Sequence, residues 1–86
     1  MQIVVHVKKK LPIDADDITK KIRNDLEMRI EDIPKVQTAN FDHHTLKVYI
    51  EYKMTEEEEE NPDIDKSTFR HAVDHSKYFA FVSMSM

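Results

Sequence analysis

An apolar stripe constrains the fold more than anything else in the chain. Ala15, Ile18, Ile22, Leu26, Ile30 and Ile33 recur every three or four residues, the spacing that lines one face of a helix. The opposite face is charged, and Asp16–Lys20, Asp17–Lys21 and Asp25–Arg29 stand four apart, as supporting pairs on a helix do. The expected helix therefore runs from Ile13 to Ile33. Asp14 is its expected N-cap, because its carboxylate can accept from the unpaired amides of the first turn. The acid behind it suits the positive end of the helix dipole. Ile13 and Ile18 have the spacing of a hydrophobic staple. Pro12 keeps Leu11 extended, and Pro34 ends the run near Asp32. A stripe this long needs a flat apolar partner, and a sheet provides one.

The flanking segments supply that sheet. From Gln2 to Lys8, Ile3, Val5 and Val7 alternate with more polar positions, as in a half-buried strand. From Leu46 to Met54 the alternation is cleaner, with Val48, Ile50 and Tyr52 on one face and Lys47, Tyr49, Glu51 and Lys53 on the other. Lys35–Phe41 is a weaker strand, joined to its successor through a turn at Asp42-His43-His44, residue types that tolerate positive φ. In Asp65–Ser76, Phe69, Ala72 and Val73 are spaced as on a short second helix capped near Asp65 or Ser67; a hairpin with the last strand is the alternative. Tyr78–Met86 is the final strand, apolar on both faces as far as Ser83, which invites either cover or pairing.

The resulting order is β-α-β-β-α-β, that of a ferredoxin-like split βαβ unit. It implies one α+β domain over residues 1–86, with the first and third strands central in a four-stranded antiparallel sheet. Both helices then lie on one face.

Composition removes several function classes. The chain has no glycine, where average usage of about 7% would give roughly six. Phosphate-cradling loops and the nucleophile elbow of many hydrolases depend on glycine, so nucleotide-binding and hydrolase readings lose ground. It also has no cysteine, hence no disulfide framework and no thiolate metal site. No apolar run approaches the roughly 20 residues of a membrane span, and Met1–Val7 followed by three lysines has the wrong order for a signal peptide. A cytoplasmic protein is expected.

Charge is unevenly divided. Residues 55–65 carry −7 while the chain as a whole carries −4, so the body is slightly basic and wears an acidic loop. Glu56, Glu57, Glu58, Glu59, Glu60 and Asp63 could serve solubility alone, or could dock a basic protein through long-range attraction. The expected function follows from the second reading: a non-enzymatic inhibitor or antitoxin-like protein engaging a nuclease or nucleic-acid-binding protein. In size and charge the chain resembles the compact acidic inhibitors that phages and toxin–antitoxin systems encode.

The alternative is a single-stranded RNA-binding module. The sheet face away from the helices would present His6, Lys8, Lys47, Tyr49 and Lys53, with Phe79 and Phe81 from the last strand. Basic residues interleaved with aromatics are how such domains stack and hold bases. The same face could instead be covered by a partner chain through Tyr49, Phe79 and Phe81; separately, the last strand could form a homodimer through Tyr78–Val82. Lys8-Lys9-Lys10 could touch phosphate, or pair with the acidic loop.

Among the histidines, His71 and His75 stand four apart and would project from one face of a helix, as paired metal ligands do. His71-Ala72-Val73-Asp74-His75 lacks the glutamate of the zinc-protease motif, and the sequence names no third ligand. No metal or other cofactor, and no catalytic residue, is therefore assigned from the sequence.

Overall fold

The computed structural model describes residues 1–14 and 17–86. The elements run β1 (Gln2–Lys9), α1 (Lys20–Glu31), β2 (Val36–Asp42), β3 (Lys47–Tyr52), α2 (Glu56–Glu60), α3 (Lys66–Asp74) and β4 (Phe79–Ser85). The four strands form one sheet in the order β2-β3-β1-β4, antiparallel at every pairing. This is the ferredoxin-like arrangement expected from the sequence, with β1 and β3 central.

The core follows from strand alternation meeting the helical stripe. Ile3, Val5 and Val7 of β1, with Val48 and Ile50 of β3, are buried beneath Leu26, Ile30 and Ile33 from α1 and its exit, and Phe69 and Val73 of α3. Leu26 and Ile30 are fully buried, so truncating either to alanine costs about 2–5 kcal/mol. From the edge strands, Phe41 and Phe79 reach each other edge-to-face with ring centroids 4.9 Å apart. The two helices therefore share one face of the sheet.

Four local features differ from expectation. First, α1 begins at Lys20, with Thr19 as N-cap accepting from the Ile22 N–H. Asp14 instead closes a separate turn, its carbonyl accepting from the Asp17 N–H at 2.9 Å. Thr19 is extended at φ −73° and ψ 165°, which no helix can run through. Ile18 is still buried and Ile13 partly so, so the stripe's N-terminal residues reach the core from non-helical backbone. The expected roles of Ala15 and Asp16 fall outside the described residues. Among the expected i,i+4 pairs, Asp25 and Arg29 are joined at 3.0 Å. Lys20 and Lys21, not acids, occupy the first turn.

Second, the acidic run is a one-turn helix, α2, rather than an open loop. Thr55 and Glu58 form a reciprocal capping box, which satisfies amides at the start of the turn, and Pro62 stands beyond its end. Third, the positive-φ positions are Lys35 (φ 73°) and Leu46 (φ 57°), not the Asp-His-His residues. Pro34-Lys35 occupies the centre of a turn closed by Val36 N–H to Ile33 carbonyl at 3.2 Å. A type II turn needs positive φ at its second central residue, and here a lysine takes it. Fourth, Phe79 and Phe81 lie on the helix side, buried in the core.

Candidate functional site

The exposed histidine pair of α3 owes its position to the opposite face of that helix. Phe69 and Val73 sit one turn apart and are buried, so His71 and His75 are turned outward and exposed. The N-terminus of α3 is held by Asp65, which accepts from the Ser67 N–H at 3.0 Å and its hydroxyl at 2.6 Å. The Ser67 hydroxyl bond, then the Ser67 backbone bond, holds the Asp65 carboxyl below its ordinary value. The C-terminus is held from across the chain. The Lys10 ammonium donates to the carbonyls of Asp74 and Ser76, the latter at 2.8 Å, where a helix presents unpaired acceptors and partial negative charge.

On this anchored helix the His71 and His75 rings lie with centroids 4.0 Å apart. They line a groove of about 370 Å³ between α3 and the end of α1, with Thr68 on the α3 side and Arg29, Asp32 and Pro34 on the other. His71 is in the last turn and His75 is the C-cap, so a cation between them sits at the negative end of the helix dipole. Among the described residues, no three of His, Cys, Asp and Glu converge to hold a metal ion. Two imidazoles are therefore the protein's contribution, and Asp32 stands in the groove without completing a triad.

The other residues singled out from the sequence are scattered. Tyr49 lies on the open face, in register with Val4 on one side and Asn40 on the other. His6 and Lys47 pair across β1 and β3, and Asp42 flanks Lys47. Lys8 faces Ala80, and Lys53 lies beyond the end of β3. Among the described residues of these strands, Tyr49 and His6 are the rings left on the open face, because Phe79 and Phe81 are buried on the other. The expected RNA surface, which drew two of its three aromatics from the last strand, is therefore not assembled.

The acidic run is engaged within the chain. Glu58 is bonded to Lys35 at 2.8 Å, and Glu59 lies 3.7 Å from the N-terminal ammonium. The Lys35 hydrogen bond depresses the Glu58 carboxyl, and the same bond raises Lys35. Neither partner is one of Lys8–Lys10. Instead Lys9 donates to the Ile13 carbonyl at 2.7 Å and Lys10 caps α3. Asp63 lies apart from the glutamates, in a shallow pocket beside Tyr52 and Asp65.

Sequence reasoning picked out His71 and His75 by their spacing but missed Asp32, Thr68 and Lys10. Asp32 read only as a helix end. The Lys10 contacts join residues more than 60 positions apart, and no local pattern announces such a bond.

No family model matches the sequence, and no curated protein does. Two solved structures share its fold. One, described as "CopZ metallochaperone", aligns over 95% of this chain and 100% of its own, with TM-score 0.67 and 13% identity. The other, described as "Crosstalk between Cu(I) and Zn(II) homeostasis", aligns over 95% of this chain and 98% of its own, with TM-score 0.59 and 14% identity. Neighbours of this kind overturn the inhibitor or antitoxin-like function, its phage association, the basic protein partner and the RNA-binding alternative. The burial of Phe79 and Phe81 in the core gives the physical side of that correction for RNA binding. The homodimer through the last strand is set aside with them. Among the described residues, no helix is long and apolar enough to cross a membrane.

Proposed function

We propose that this protein is a non-enzymatic metal-handling domain that binds a divalent transition-metal ion reversibly through His71 and His75. The observation that carries the reading is the imidazole pair itself, with ring centroids 4.0 Å apart on an exposed helix face. The metallochaperone and copper–zinc homeostasis descriptions of the two structures sharing the fold support it.

The donor set narrows the cargo. Cu(I) favours soft thiolate or thioether ligands, whereas imidazole suits zinc, copper and nickel. With no cysteine in the chain, a thiolate-bound Cu(I) ion is not the cargo of this site; Zn²⁺ or Cu²⁺ fits its nitrogen donors. Two protein ligands leave the remaining coordination positions to water or to a receiving protein. Such a site holds an ion weakly enough to pass it on. The reading extends to a cytoplasmic location; among the described residues no helix is long and apolar enough to cross a membrane.

The test is calorimetric titration of the purified protein with Zn²⁺ and Cu²⁺ at neutral pH. One ion per chain is expected. His71→Ala and His75→Ala should each abolish this binding while leaving the circular dichroism spectrum unchanged. Binding that persists in both variants, or no binding by the native chain, would refute the proposal.

A further inference from the structure

The two edges of the sheet are closed by the same device, built twice from unrelated sequence. On the β2 edge the Phe41 N–H donates to the Glu27 carboxylate of α1 at 2.8 Å. On the β4 edge the Phe81 N–H donates to the Asp74 carboxylate of α3 at 2.8 Å. In both cases the phenylalanine ring is buried in the core, at 3% and 7% exposure. Its own side chain thus holds the amide in place at the strand edge. In both cases the acceptor comes from the helix packed over that edge.

An edge strand presents unpaired N–H and C=O groups in a row, which is a template for another strand. A carboxylate on the outward N–H removes the donor that an incoming strand needs. It also puts negative charge where that strand's carbonyl oxygen would arrive. The bond is charge-assisted, hence stronger than the neutral ladder bond that would replace it.

The β4 edge has the greater need. From Phe79 to Met86 no residue is charged, and Val82, beside Phe81, is 51% exposed. Uncharged β-rich segments of this length are association-prone when their edges are free. A register shift opposite His6 and Val7 leaves Val82 without a partner in β1, and such a bulge twists the edge away from flat pairing. Lys66 and Arg70 lie over the Phe81 ring at 5.9 and 5.5 Å. They stand eight and four residues before Asp74, on the same face of α3. Among the described residues, Asp74 is the group that accepts from the Phe81 edge amide.

We propose that Glu27 and Asp74 are edge guards, and that without Asp74 the β4 edge takes up a second copy of this chain by strand addition. This assignment is independent of the metal reading, since it concerns Asp74 and not the flanking histidines, and metal-free protein serves for its test. Light scattering on size-fractionated protein over rising concentration, with amide hydrogen exchange at Phe81, tests it.

The native chain should run as a single copy throughout, with the Phe81 amide protected. Asp74→Ala should move to at least the mass of two copies at high concentration, and its Phe81 amide should exchange about tenfold faster or more when dilute. Asp74→Asn, which keeps an oxygen acceptor, should stay single. Adding Val82→Lys to Asp74→Ala should restore the single copy, because lysine on an edge opposes pairing. A folded Asp74→Ala that stays single at every concentration overturns the proposal. So does a native chain that already associates through β4. If Asp74→Ala does not fold, fast exchange of Phe81 in the native chain refutes the guard, and slow exchange with a single-copy Asp74→Asn upholds it.

Discussion

Replacing Lys10 by methionine removes the ammonium while keeping most of the aliphatic stem, and so isolates one long-range cap. That ammonium bonds the carbonyls of Asp74 and Ser76 at the C-terminus of α3. A cation beside a helix C-terminus contributes about 0.3–1 kcal/mol when exposed. A hydrogen bond from a charged donor contributes up to about 1.5–3 kcal/mol when sheltered. One of these bonds is exposed and the other partly buried, so the lower end applies, and the loss should be about 1–2 kcal/mol. In a chain of this size each kcal/mol lowers the melting temperature by roughly 4–8 °C. Urea unfolding followed by circular dichroism measures it: the midpoint should fall while the slope stays fixed. Lys8→Met is the matched control, because Lys8 sits at the same strand end and, among the described residues, its ammonium makes no hydrogen bond or ion pair. If Lys10→Met and Lys8→Met agree within about 0.5 kcal/mol, the spread of ordinary surface substitutions, the cap contributes nothing and the reasoning fails.

Two further predictions concern the helix start and acid. Thr19→Ala should destabilise the protein by about 0.5–2 kcal/mol, whereas Asp14→Ala should cost less; equal losses in urea unfolding would restore Asp14 as the cap. Asp65, Glu58 and Asp42 have folded values depressed by hydrogen bonds: to Ser67, to Lys35, and to the His44 N–H respectively. Depressed carboxylates stabilise fully above their unfolded values of about 4 and lose that contribution as pH falls through the folded ones. Unfolding free energy should therefore decline below about pH 4, and less steeply in Asp65→Asn. A stability that rises on acidification would contradict the assignment.

Most of the fold was legible because it rests on local periodicity. The stripe through Ile22, Leu26 and Ile30, the alternation around Val5 and Ile50, and the spacing of Phe69 and Val73 each specify an element before any long-range contact exists. The histidine pair was legible for the same reason, since four residues on a helix is one turn. Tyr78–Met86 was not, because a segment apolar on both faces carries no alternation to say which side Phe79 and Phe81 take. Their placement decided against an aromatic RNA surface. The acidic run misled in a related way. Five successive glutamates read as a mobile charge block, yet Thr55 and Glu58 cap it and Lys35 neutralises part of it.

The sequence alone determined the order of elements and the spacing of His71 and His75, because periods of two and 3.6 residues are written along the chain itself. Tertiary structure decided where α1 begins, which face Phe81 buries, and how both sheet edges are closed. It also brought Lys10 to the end of α3 and Asp32 into the histidine groove. These depend on contacts between residues brought together only by folding, such as Glu27 with Phe41 and Lys10 with Ser76. No local pattern encodes a hydrogen bond whose partners share neither a turn nor a strand.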